Sequence, residues 1–99
     1  MGYAQMVEVH GETMEGHRTF LGVLGDDPPL GLIVRAAGPT DTGIRIITVW
    51  ESKAAHDRFI AERLYPTMAQ VNRSGFHPEV VAEFQVEEVW TPGAAALLT

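Results

Sequence analysis

Apolar and polar positions alternate loosely over residues 3–9, with Met6 on one side and Val7 and Val9 on the other. This predicts a strand that His10 and Gly11 bring to an end. The period then lengthens. Over residues 12–24, Met14, Leu21 and Leu24 fall on one side of a helix with Phe20 at its border, and acidic residues occupy the first turn, where the helix dipole favours them. Gly25 supplies the stop, while Gly16 and Gly22 weaken the helix. Asp26, Asp27, Pro28 and Pro29 read as a loop. Two apolar runs, 30–37 and 44–50, are joined by Gly38-Pro39-Thr40-Asp41-Thr42-Gly43, the composition of a hairpin connection. Ser52 is a good helix N-cap, so 53–64 is the second helix, which Pro66 bends or ends, with 67–71 as a further turn. A loop over 73–78 leads into a last strand over 79–90. There Val80, Ala82, Phe84 and Val86 share one face, and Glu83, Gln85 and Glu87 the other. Thr91-Pro92-Gly93 ends that strand, and 94–98 is a short apolar tail that packs on the domain or a partner.

The order β-α-β-β-α-β is the split pattern of ferredoxin-like α+β folds, in which two helices cover one face of a four-stranded antiparallel sheet. The other face, if apolar, needs a partner. Ninety-nine residues make one domain, 1–99, with 91–99 as its C-terminal tail. So small a domain buries only about two-thirds of its chain's surface, and a hydrophobic fraction of 45% is generous for it. Burial of some of that surface against a second copy, and so an oligomer, is the expectation. The net charge of −6 and the scattering of seven Lys and Arg argue against nucleic acid and anionic membranes as partners. The absence of cysteine removes disulfides, thiolate nucleophiles and zinc-thiolate sites. No apolar run reaches the roughly 18 to 20 residues of a membrane span, and the first residues lack the pattern of a signal peptide. A soluble, cytoplasmic protein is therefore expected.

Candidate chemistry lies on the helices. At about 100° per residue, Ala55, Phe59, Ile60 and Leu64 define the inward arc of the second helix, and His56 and Arg63 fall within it. His17 stands at the centre of the corresponding arc of the first helix. Buried ionisable groups are costly unless paired, hydrogen-bonded or beside water, so three of them predict a polar cavity beneath the helices. The plainer alternative is two satisfied core histidines and an arginine that snorkels outward. Strand parity puts Trp50 on one face with Ile44, Ile46 and Thr48, a surface that suits an apolar ligand. Tyr65 either reaches the mouth of the pocket or anchors at the surface. His10, His17, His56 and His77 form no i, i+4 pair, so no metal site is expected. No glycine-rich phosphate loop is present, and no G-x-S-x-G elbow. Thr40 and Ser52 read as turn and cap residues, Glu83 and Glu87 as solvated or on a dimer rim.

With this order and the junction "VWESKAAHDRF", the chain resembles the dimeric α+β barrel superfamily, in particular its antibiotic biosynthesis monooxygenase branch. The resemblance covers roughly residues 3–89. It implies two sheets meeting back to back and a pocket in each protomer between its own sheet and helices. In members that oxidise polyketide anthrones without metal or flavin, the Trp of this junction lines the pocket, a Tyr stands six residues after it and an Asn four residues before it. Trp50 matches, His56 takes the Tyr position and Ile46 replaces the Asn. Ile46 cannot hydrogen-bond a substrate oxygen, whereas His56 is a better base than Tyr near neutral pH. The haem-degrading relatives need a haem-ligating His, a helical Trp and an Asn on strand one. Here Ala69 and Phe59 hold the first two positions, and 3–9 contains no Asn.

The expectation is a small-molecule enzyme without cofactor or metal, acting on an aromatic or polyketide-like substrate. His56 is its general acid or base, His17 or Arg63 holds a developing phenolate or enolate, and Trp50 stacks on the ring. Ile46, Thr48, Phe59 and Tyr65 complete the substrate wall. Oxygenation, a proton-transfer reaction such as cyclisation or isomerisation, and ligand binding without catalysis all stay open.

Overall fold

A computed structural model of the chain describes residues 2–25, 27–71 and 78–90. The expected loop at 73–77 and the tail at 91–99 lie outside the described residues. The elements run β1 (Gly2–His10), α1 (Met14–Leu24), β2 (Leu32–Pro39), β3 (Gly43–Trp50), α2 (Lys53–Phe59), a π-helical turn (Ile60–Leu64), α3 (Tyr65–Gln70) and β4 (Glu79–Val86). The strands form one sheet in the order β2-β3-β1-β4, every neighbouring pair antiparallel. This is the ferredoxin-like α+β arrangement the residue pattern predicts.

Local chemistry sets the boundaries. Thr13 caps α1, its Oγ1 accepting from Gly16 N at 3.0 Å, and Gly25 closes the helix at φ 102°, a conformation that favours glycine. Ser52 caps α2 by accepting from Ala55 N at 3.1 Å. The second strand starts two residues later than its apolar run suggests. Gly31 turns the chain at φ 87°, and a Cβ there would lie 2.6 Å from Ala55 Cβ, so only glycine lets β2 start this close to α2. The strand then runs on to Pro39, which an edge strand tolerates.

Pro66 does not end the second helical run. A proline inside an α-helix removes one hydrogen bond and crowds the carbonyl four residues back. The π turn just ahead of it shifts the ladder, with Tyr65 N bonded to Ile60 O, and the helix continues to Gln70. The last strand is shorter than its alternation predicts, ending at Val86, with no regular structure over 87–90. A register shift opposite Met6 and Val7 also breaks its parity. Val80 pairs with Val7, away from the face shared by Ala82, Phe84 and Val86.

The sheet has two different faces. On the helix side lie Tyr3, Gln5, Val7 and Val9 of β1 and, by register, Ile44, Ile46, Thr48 and Trp50 of β3. The opposite face carries Met6, Val34, Ile47 and Phe84, and there Val34, Ile47 and Phe84 are 47%, 41% and 63% exposed. At one end of that face Glu8 is buried, accepting from Thr40, Thr42 and Arg45 Nε. Those bonds, Thr40's first, hold its carboxyl below the ordinary carboxylate range.

Candidate active site

α2 approaches the sheet closely at β1 and β3. Between the sheet and the helices lies a cavity with a water-accessible volume of about 130 Å³. Its wall is predominantly apolar and includes Ile46, Thr48, Trp50 and Phe59. His17 and His56 also border it. Both are nearly enclosed, at 6% and 9% exposure, and neither pairs with the other.

Four side chains meet the His56 ring. Trp50 meets its ring edge-on at 5.6 Å between centroids, and Tyr3 lies tilted at 5.0 Å. Its Nδ1 is 2.9 Å from Asp57 Oδ1 and its Nε2 is 3.2 Å from Gln5 Oε1. The bond to His56, with that to Lys53, holds the Asp57 carboxyl below its ordinary range, so Asp57 is an ionised acceptor that keeps a proton on Nδ1.

Hydrogen-bond direction then propagates along the chain of partners. The Tyr3 hydroxyl donates to Glu83 Oε1 at 2.8 Å, so its oxygen can only accept, and Gln5 Nε2 donates to it at 3.0 Å. That orientation turns Gln5 Oε1 toward His56 Nε2. An acceptor therefore stands ready for a second proton on the imidazole, the arrangement a general base needs after it has taken a proton from a substrate. Glu83 is exposed, as the strand pattern predicts, and is also engaged by Tyr3 on the helix side of the sheet.

His17 is held differently. Arg35 Nη2 lies 2.8 Å from its Nε2, and a guanidinium can only donate, so this nitrogen accepts and the proton sits on Nδ1. His17 Nε2 therefore cannot hold a developing oxyanion. Arg63 departs from its expected place as well. Its Nη1 donates to Asp27 O at 2.9 Å, its Nη2 to Leu24 O at 3.3 Å, and its guanidinium covers the Phe59 ring. It satisfies the carbonyl end of α1 and is absent from the cavity wall. Helix projection gives an angle around the axis but not where a long side chain comes to rest. Tyr65 is half exposed and likewise outside the wall.

Gln5, Asp57 and Arg35 escaped the sequence reading because each reads alone as an ordinary surface residue. Strand parity was the available signal, since it puts Gln5 with Val7 and Val9. Among the described residues no three His, Asp or Glu side chains gather as ligands of one ion, and no helix is long and apolar enough to cross a membrane.

No family model matches the chain, and no curated protein matches it. Among solved structures, it is similar to SnoaB, a cofactor-independent oxygenase from Streptomyces nogalater, in the crystal structure of a mutant. The TM-score is 0.53 at 19% sequence identity, over 89% of this chain and 93% of that one. The likeness extends along nearly the whole of both chains and establishes the fold.

Proposed function

We propose that this protein is a small-molecule enzyme working as a homodimer, with His56 as general base in a mostly apolar cavity that takes an aromatic or polyketide-like substrate. The observation that carries the reading is the braced imidazole. Asp57 fixes one ring nitrogen, Gln5 offers an acceptor at the other, and Trp50 presents an aromatic wall beside it. Removal of a proton from an anthrone-like carbon leaves a delocalised anion, which the apolar wall and Trp50 accommodate. That anion gives electrons to dioxygen. One oxygen atom ends as a new carbonyl on the substrate and the other leaves as water. The similarity in fold to an oxygenase described as cofactor-independent supports this choice of reaction. A second copy of the chain would cover the exposed apolar face of the sheet.

Ile46 favours a second reading. It lines the cavity with no group to hydrogen-bond a substrate oxygen, which suits proton transfer alone, as in a cyclisation or isomerisation. Dioxygen uptake separates the two. The purified protein is given 1,8-dihydroxyanthrone and related hydroquinones, with the uncatalysed autoxidation rate subtracted. The oxygenase reading expects uptake above background that His56→Ala lowers by about 10²- to 10⁴-fold. Uptake no faster than autoxidation rejects oxygenation, and full activity in His56→Ala removes this residue from the mechanism.

A further inference from the structure

We infer that the cavity is built for an aromatic molecule bearing a carboxylate, and that Arg35 is the residue that binds the carboxylate. The inference rests on the reading of the cavity as a small-molecule site.

Arg35 stands opposite Thr48 in the β2–β3 register and so projects from the helix-side face into a predominantly apolar wall. Among the described residues its one hydrogen bond is to His17 Nε2, a neutral acceptor. Among the described residues no carboxylate lies within ion-pair distance of it. Glu8 is engaged by Arg45, and Asp57 by Lys53 and His56. Glu12, the one carboxylate among the described residues of the wall, has its Oε1 turned to Thr13 N at 2.9 Å. Arg35 is exposed as a residue, and partial loss of water around its guanidinium pushes it below its ordinary range, with no acid among the described residues to offset the loss.

Because the residue is exposed, leaving the guanidinium without a countercharge costs little, and an arriving anion can reach its remaining N–H groups at the edge of the apolar wall. Five N–H groups in a rigid fork match a carboxylate in bidentate fashion, and His17 occupies one edge, fixing the direction of the rest. His17 is thus a positioning residue for Arg35. It spans from α1 to β2 beside the cavity, so the anion site and the apolar wall share one space. A ring against Trp50 and Phe59 with its acid group at Arg35 satisfies both.

Isothermal titration of the intact protein with 2-naphthoate and with uncharged 2-naphthamide tests this, because the two probes share a ring system and differ in charge. The expected result is that naphthoate binds at least about tenfold more tightly. Arg35→Gln should then bring the two probes level by weakening the acid and sparing the amide, while Arg35→Lys keeps part of the preference. Circular dichroism verifies that each variant is folded, and the wild-type comparison stands without any variant. Equal binding of both probes, or a preference that survives in folded Arg35→Gln, overturns the assignment of Arg35 while leaving the cavity reading intact. Failure of both probes to bind overturns the cavity reading and this inference together.

Discussion

The indole of Trp50 meets the imidazole of His56 edge-on, their planes at 81° and their centroids 5.6 Å apart. Strand β3 delivers the first ring and α2 the second, so the short connection through Glu51 and Ser52 determines the pairing. Trp50 also packs against Phe59 at 5.5 Å, and its buried Nε1–H has no hydrogen-bond partner among the described residues. Truncation to Trp50→Ala removes a ring that is only 2% exposed and should cost about 3–5 kcal/mol. Trp50→Phe deletes this donor and keeps part of the ring packing, and should cost less than Trp50→Ala. Urea denaturation followed by circular dichroism compares the two.

Asp57 should dictate the tautomer of His56. Long-range ¹H–¹⁵N correlation spectra of the neutral imidazole should show the proton on Nδ1 in the wild type. Asp57→Asn should mix the tautomers and lower turnover in the dioxygen assay. An Nε2–H tautomer in the wild type, its proton given to Gln5 Oε1, would mean that Asp57 does not set the tautomer.

Arg63 should behave as a stabilising residue with no part in binding. Its two bonds reach carbonyls at and beyond the end of α1, groups that the helix itself cannot satisfy. Arg63→Met should lower unfolding free energy by about 1–2 kcal/mol and leave the affinity for 2-naphthamide unchanged. A large loss of affinity in the folded variant would return Arg63 to the site.

Tyr3 should ionise late. Burial, together with the hydrogen bond and charge of Glu83, pushes its hydroxyl from 10.0 up to about 12. The folded protein therefore holds a proton that the unfolded chain has released, and the stability this contributes is complete below pH 10 and lost as pH rises toward 12. Ultraviolet difference titration at 295 nm should show one late phenolate step that Tyr3→Phe abolishes. The same variant should be less sensitive to alkaline unfolding between those values.

Phe84, the most exposed apolar residue described on the open sheet face, is where a second copy would pack. Light scattering should give a dimer for the wild type. Phe84→Asp, which would set a charge in an apolar contact, should give a folded monomer. A monomeric wild type would reject the dimer.

The order of elements was legible in the chain because period and punctuation are local. Alternation, helical spacing, Ser52, Gly25 and the hairpin glycines each act over a few residues, and together they imply four strands and two helical runs. The continuation of the second run past Pro66 was harder to read, since a π turn depends on how the backbone absorbs the missing N–H. The length of β4 was also misjudged. Its alternation continues to Glu87, but among the described residues β4 pairs with β1 alone, and the last pair is Val86 with Gly2.

Of the candidate site, the chain itself specified the apolar wall and the two histidines, since burial follows from face and face follows from spacing. Their partners were decided in three dimensions. Gln5 lies 51 positions from His56, Arg35 18 from His17, and Glu83 80 from Tyr3. Hydrogen bonds form between atoms about 3 Å apart, and only the folded sheet, with its register and its twist, brings such distant residues that close. Arg63 illustrates the same limit from the other side. Its helical angle pointed inward, yet a flexible side chain with several donors settles where unsatisfied carbonyls are, and the end of α1 provided them.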